Sequence, residues 1–581
     1  MRTLEHQFDF CVVGGGLAGL AAALSAARHG CKTALVTDRP VLGGNASSEI
    51  RMHICGAHGK DMRETGVLEE LLLENHWRNP GSNYPVWDSV LYGAAATQEN
   101  LSLFLNCTVT EARMDGDTIT AVRGWQMTNE TWHTFYAKMF ADCSGDGVLA
   151  AYSGAAFRIG REAKDEFNES IAPDAADAKT MGASCLMQLR EFATPQPFTP
   201  PDWAHVYEKP HGKGRWWDLY SNFWWIEVGG DSGDILHVTE ESRAELMKIV
   251  FGVWDHMKNR SPDKARHENW ALDWVGFLPG KREGRRYVGD HVLTQNDVEA
   301  GGRFDDLVAY GGWSMDDHFP AGFHHPEGGT IFHPAPSPFG IPYRSLYSRD
   351  VENLFCAGRC HSATHAAMSA TRVMGTTSMM GQAVGTAAAI AARDSLTPRG
   401  VHQKRMGELQ QALMDDDQYL PWRTRGIPAL AARAKLTADH GDPEPLRNGV
   451  DRPVDGVDNG WRGPLGSAVT YRFDAPAKPA CARLVFDSDL NRTDTIERPE
   501  NKNLRFRQPL DAPPWGLPAA LVRDFRIEVE RRGKWEAAAT VRDNRRRLAR
   551  VPLDVSTAAV RLVCESTWGA PDAHLFAFDV R

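Results

Sequence analysis

The chain has 581 residues, 42% of them hydrophobic and 24% charged, proportions that exclude a disordered, collagen-like or disulfide-stapled chain. Its net charge of −10 and pI near 6.1 remove any default case for nucleic-acid binding, and no window approaches the roughly 18 apolar residues of a membrane span. The ten cysteines show no CxxC and no paired spacing, which suits reduced thiols in a cytoplasm better than a zinc site or a disulfide framework.

Residues 10–13 predict a strand, 20–29 a helix and 32–37 a second strand. Between the first two, Gly14-Gly15-Gly16-Leu17-Ala18-Gly19 satisfies GxGxxG in the strand–helix context that gives the pattern meaning. Gly14 permits the tight turn, Gly16 lets backbone approach a pyrophosphate, and Gly19 lets helix and strand pack closely. The helix start offers free N–H groups to the anion. An acid at the end of the second strand should bond a ribose; Asp38 is the candidate, with Thr37 the alternative one residue earlier. A polar glycine loop, Gly43-Gly44-Asn45-Ala46-Ser47-Ser48, follows, then a helix over 68–76. Residues 101–143 predict a β-meander turning at Asp115-Gly116-Asp117 and ending in Asp142-Cys143-Ser144-Gly145-Asp146-Gly147.

Residues 155–345 are rich in Trp, His, Pro and Gly, with one clear helical stretch at 241–258. The strand, glycine and alanine-helix style returns at 351–393, through Phe355-Cys356-Ala357-Gly358-Arg359, and a further helix is expected over 403–414. Beyond about 445, short alternating segments such as Val469–Phe473 are separated by proline-rich turns, as an all-β sandwich needs. Residues 451–581 hold 22 basic and 19 acidic side chains, a net +3 that leaves −13 for the rest. This change of character puts a boundary near 440–450, and a cut near 445 is expected to leave the nucleotide-binding part folded.

Together these segments resemble the FAD-dependent oxidoreductases with the glutathione-reductase-type Rossmann fold. More narrowly, Asp38-Arg39-Pro40-Val41-Leu42-Gly43-Gly44-Asn45-Ala46-Ser47-Ser48-Glu49-Ile50-Arg51 and Ala357-Gly358-Arg359-Cys360-His361-Ser362-Ala363-Thr364-His365, with Arg372-Val373-Met374 and Met380-Gly381-Gln382, are similar to a bacterial branch of that family. The resemblance implies FAD as cofactor and an FAD-binding set of Gly14, Gly16, Leu17, Ala18, Gly19, Asp38, Arg39, Gly43, Gly44, Asn45, Ser48, Asp142, Gly145, Asp146, Gly358, Arg359, Gly381 and Gln382. Within it Gly43, Gly44, Asn45 and Ser48 would wrap the flavin side, and Gly381 and Gln382 would present a helix start to the isoalloxazine. The fold class expected is α/β: a Rossmann-type FAD-binding domain (1–155 and 346–440), an inserted α+β substrate region (156–345) and a C-terminal β-sandwich (447–581) that looks galactose-binding-like.

Only one GxGxxG is present, so a second, NAD(P)H-binding domain is not expected and the electrons should come from the substrate. On the substrate side, Trp216, Trp217, Trp224, Trp225, Trp254, Trp270, Trp274 and Trp313 crowd together in sequence, beside His318, His324, His325 and His333. Aromatic faces with nearby acids suit a hydroxylated ligand. His365, with His53 second, is the candidate to accept a hydroxyl proton, because imidazole titrates near 6.5. Trp313, His318, Arg285 and Tyr343 are substrate-side candidates, and no metal site is expected. The reading is therefore an enzyme that oxidises a secondary alcohol of a carbohydrate or glycoside, a small-molecule or oligosaccharide partner. A redox-neutral glycoside cleavage and a glycan-binding protein with a vestigial FAD domain are the alternatives.

Overall fold

The computed structural model describes residues 1–492 and 506–581. They form two compact units: Met1–His58, Gly81–Leu409 and 506–514 in the first, Gly59–Pro80, Gln410–Arg492 and Trp515–Arg581 in the second. This is a different division from the one expected. The second unit begins near 410 instead of 447, and it also takes a segment from near the N-terminus.

The first unit is organised by a seven-stranded sheet. Its strands are β1 (Arg2–Val13), β2 (Thr33–Val36), β3 (Leu101–Phe104), β4 (Cys107–Asp115), β5 (Thr118–Gln126), β6 (Thr131–Asp142) and, further along the chain, Leu354–Cys356. The parallel part runs β3-β2-β1-β6, with Val13 opposite both Val36 and Asp142. The first half of β6 takes the antiparallel meander β5-β4, while its last residues, Phe140–Asp142, pair in parallel with Leu354–Cys356. Burial follows from this: the last four residues of β1 and all of β2 are buried, as interior strands covered on both faces must be.

Helix α1 (Leu17–Arg28) is almost wholly small or apolar and buried over Leu17–Ala27. Helix α2 (Tyr84–Ala96), absent from the sequence reading, buries Trp87 and Leu91. In the middle region, α3 (Thr239–Asp255) backs a core in which Trp217, Trp225, Trp254 and Trp270 pack with Phe323. Those four tryptophans are core residues and are not available to a ligand. Strands β7 (Met315–His318) and β8 (Thr330–His333) form a hairpin pair, followed by β9, the Leu354–Cys356 strand, then α4 (His365–Thr371) and α5 (Met374–Asp394). Helices α1 and α5 approach so closely that a Cβ on Gly381 would lie 2.0 Å from the Ala18 carbonyl oxygen, and one on Gly385 2.1 Å from that of Ala22.

The second unit contains a five-stranded sheet and a four-stranded sheet, whose inward side chains, among them Trp461, Tyr471, Phe486, Phe525, Leu562 and Phe578, share one core. The helix Val67–Arg78, expected to stay with the nucleotide-binding part, inserts Leu73 into this core. Its buried Glu69 is held by Arg492 at 2.7 Å and Arg63 at 3.2 Å. A chain cut at 445 would lose all but one strand of both sheets and leave this helix with an uncovered apolar face and a buried acid that has lost Arg492 and keeps only part of its pairing, through Arg63. Removing one partner of a buried pair typically costs ~3–5 kcal/mol, so the truncated protein should aggregate or show an increased exposed-hydrophobic dye signal. A monomeric, dye-silent truncation product would contradict this.

Candidate functional site

Four turns meet at the carboxyl edge of the parallel strands, where open α/β sheets bind ligands. After β1 comes Gly14, with φ of 108°; a Cβ there would sit 2.5 Å from the backbone of Cys143 and Ser144, so only glycine allows the first and third turns to touch. The turns after β2, β6 and β9 bring Asp38, Cys143–Asp146 and Gly358-Arg359. Together they line a cleft with Gly14, Gly16, Leu17, Ala18, Arg39, Gly43, Gly44 and Asn45. Gly16 caps α1 without a side-chain bond to the helix, leaving its first N–H groups for an anion. Asp146, on the cleft wall, is paired with Lys281 and, at 2.7 Å, with Arg359. Burial works against its charge, yet Arg359 and then Lys281 hold its carboxyl below the usual range.

Beside the cleft lie two acid–imidazole–acid arrangements built on β7. His365 is buried at the start of α4, with Nδ1 3.0 Å from Glu283 and Nε2 3.1 Å from Asp317. Burial alone would lower its pKa; the charge of Glu283 and the hydrogen bonds of both acids outweigh that and push it up to about 10. It is therefore an imidazolium at neutral pH. His318 is buried with Nδ1 2.6 Å from Glu227 and Nε2 3.3 Å from Asp316. Asp316 in turn meets Arg372 at 3.2 Å, and Arg372 lines the cleft. His361, the other histidine of the HxxxH spacing, is pushed down to about 4 by burial and bonds the Gly358 carbonyl at 2.9 Å.

The sequence signature of the FAD dependent oxidoreductases matches residues 9–413. The chain belongs to the FAD dependent oxidoreductase family. Among curated proteins it is similar to glycerol-3-phosphate dehydrogenase 2 of Mycobacterium bovis, 40% identical over 73 residues, 13% of this chain and 12% of that protein. It is also similar to a tRNA uridine 5-carboxymethylaminomethyl modification enzyme of Rhodopirellula baltica, 26% identical over 239 residues, 34% of this chain and 36% of that one. The chain thus spans about an eighth to a third of the length of these relatives. Among solved structures, an E. coli quinol fumarate reductase chain matches 71% of this chain and 75% of its own at 13% identity and a TM-score of 0.28. A family 32 carbohydrate-binding module from Streptococcus pneumoniae matches 26% of this chain and 97% of its own at 14% identity and a TM-score of 0.19.

As in its family, FAD is the cofactor, and the cleft fits it. A Cβ on Gly16 would meet no atom within 4 Å, leaving room for a diphosphate at the helix start. Two buried N–H groups at the cleft, Arg359 Nε and Arg372 Nε, have no hydrogen-bond partner among the described residues. Donors beside a glycine floor suit an anionic dinucleotide.

Five members of the FAD-binding set read from sequence do not line the cleft. Gly19 is a packing glycine, since its Cβ would meet the Gly14 carbonyl oxygen at 1.9 Å. Gly381 and Gln382 lie inside α5, buried against α1, because the helix starts earlier, at Met374. Its first residues, not Gly381, reach the cleft: Met374 and Thr377, with Arg372 just before. Asp142 is fully buried and turned into its own loop, accepting from Ser144, from the Leu149 N–H at 2.7 Å and from the Tyr287 hydroxyl at 2.8 Å. Ser48 donates its N–H to Asp88.

The substrate-side candidates also separate. His365, expected as a neutral base, is held protonated. His53 is buried edge-on to Phe506 at 5.3 Å. Trp313 is buried and stacks on His58 at 4.3 Å, in a cluster with Cys55 and Val373 that adjoins the start of α5. Arg285 reaches the Asp146 carbonyl at 3.2 Å. Tyr343 is buried and donates to the Pro398 carbonyl, a structural position. Asp316 and Asp317, the acids next to His318 in sequence, stand beside the cleft together with Glu227, Glu283 and Arg372, for which the sequence suggests no role. Among the described residues no helix is long and apolar enough to cross a membrane.

Proposed function

We propose that the protein is an FAD-dependent oxidoreductase that oxidises a secondary alcohol on a carbohydrate-like substrate. The observation that supports this best is the pair of buried carboxylate–imidazole arrangements on β7, one of which bonds a cleft-lining arginine. Bound FAD supplies a two-electron acceptor for hydride. The protein's own groups have to hold the alcohol and manage its proton. Asp317 is the best placed of them: its side chain is 22% exposed whereas those of His365 and Glu283 are 7% and 0%, so it is the end of the arrangement that can accept a hydroxyl hydrogen bond. His365, fixed between the two acids, orients Asp317 and keeps it ionised; burial opposes that charge, but the hydrogen bond from His365 leads the interactions that lower its pKa. Exposed aromatics in the same middle region, Trp216, Tyr220, Phe277 and Phe332, offer flat faces for a sugar ring.

The test is anaerobic flavin absorbance of the purified holoprotein against a panel of sugars, glycosides and uronic acids. Bleaching by a hydroxylated substrate is expected, slowed by ~10²-fold or more in Asp317→Asn. A yellow protein that no member of the panel bleaches would remove the carbohydrate reading, and a colourless protein that FAD cannot reconstitute would remove the oxidoreductase reading.

A further inference from the structure

In the second arrangement on β7, Asp316 Oδ1 also accepts from the Thr330 hydroxyl of the paired strand β8. The arrangement ends on Arg372. Followed atom by atom, Arg282 Nη1 lies 3.4 Å from Glu227 Oε2, which lies 2.6 Å from His318 Nδ1. His318 Nε2 is 3.3 Å from Asp316 Oδ1, and Asp316 Oδ2 is 3.2 Å from Arg372 Nη2. The same Nη2 also donates to the Asp316 carbonyl at 3.1 Å. Side-chain exposure rises along this line from 0% at Glu227 and 2% at His318 to 12% at both Asp316 and Arg372. Trp224 closes one side of His318, edge-on at 5.3 Å.

Such a line is a poor stability device, because desolvating buried ions usually offsets their attraction. What it does provide is orientation. Arg372 stands immediately before α5, on the cleft wall, with Nε left over for another acceptor. A cation fixed there adds to the positive end of a helix of 21 residues, and charge placed beside a flavin tunes its electronics. Reduction adds negative charge to the cofactor, so a fixed arginine favours the reduced form over the oxidised one.

We infer that Glu227, His318 and Asp316 are positioning residues that fix the Arg372 guanidinium against the FAD cleft and thereby set how strongly the protein prefers reduced over oxidised flavin. This rests on the cleft being the FAD site, and adds a group of residues to it that acts on the redox balance without touching substrate.

The experiment is a reductive titration of holoprotein against reference dyes, with FAD affinity measured alongside. Arg372→Gln is expected to lose about tenfold of the preference for reduced flavin, a fall of ~30 mV for a two-electron couple. His318→Gln should shift the midpoint in the same direction by a smaller factor, about threefold. In the Arg372→Gln background His318→Gln should change nothing further, because its effect runs through the arginine. If His318→Gln does not fold, His318→Asn carries the same comparison. Single variants that bind FAD at the parent midpoint would overturn the inference. So would a His318→Gln shift of equal size with and without Arg372. Wild-type protein that binds no FAD would instead overturn the site assignment beneath it.

Discussion

His365→Ala is expected to cost the first unit ~3–5 kcal/mol, the usual consequence of removing one member of a buried, hydrogen-bonded ion cluster. The loss is large because His365 separates two acids. Without it Glu283 and Asp317 face an emptied site, and Glu283 keeps Arg286 and the Met181 N–H. A denaturant titration of wild type and variant measures the difference directly. The difference should also depend on pH in a defined direction. In the folded protein the imidazole holds its proton up to about 10, against ~6.5 in an unfolded chain. The proton-linked stabilisation is therefore fully present below about pH 6.5 and is lost as pH rises through 10. The gap between wild type and His365→Ala should narrow over that range; a gap that stays constant or widens would mean that His365 is neutral in the folded state. In whatever fraction folds, substrate-driven flavin reduction should be ~10²–10⁴-fold slower.

Gly16→Val is expected to abolish the yellow colour while leaving the melting behaviour of the apoprotein nearly unchanged. Gly16 has φ of −66° and ψ of 177°, backbone that any residue adopts, and its Cβ would meet nothing within 4 Å. The protein itself therefore tolerates a side chain there, and only a ligand crossing the turn would collide with it. A fall of about a hundredfold in FAD affinity, roughly 2.8 kcal/mol, with an unchanged apoprotein melt is the expected pair of results. Gly14→Ala should behave differently: its Cβ would strike backbone at 2.5 Å from a left-handed conformation, so fold and cofactor should be lost together. Equal behaviour of the two variants would mean that both glycines serve folding alone.

These contrasts also mark what could be read from the sequence and what could not. Gly14, Gly16 and Asp38 were legible because their spacing is local: strand, turn and helix lie within a few tens of residues, and the physical demand on each glycine is visible in that frame. Gly381 and Gln382 were placed at a helix start because the glycine stands before an alanine run; the helix in fact begins at Met374, and the close approach of α1 that Gly381 permits is a tertiary fact with no local signal. The pairing of the charged groups beside the cleft has no local signal either, although Asp316 and Asp317 are visible as acids next to His318. Glu227, Glu283, Asp316, Asp317 and Arg372 come from different elements and acquire meaning only when β7 and α4 bring them together. At His365 the sequence shows an imidazole but not the two carboxylates at 3.0 and 3.1 Å that raise its pKa. Helix α2 escaped because Pro85, Val86 and Gly93 weaken its intrinsic helix signal, and burial of Trp87 and Leu91 overrides it.

The early helix Val67–Arg78 has a consequence for how the protein is made. Leu73 rests among residues such as Phe525, Leu562 and Phe578, which leave the ribosome roughly five hundred residues later. At ~5–20 residues per second, the nascent chain must carry that apolar helix for about 25–100 s before its partners exist. Over that interval the helix is a ready surface for holding chaperones or for neighbouring nascent chains on the same polysome. Yield in a host should therefore respond to translation speed and trigger-type chaperones more than the stability of the finished protein would suggest.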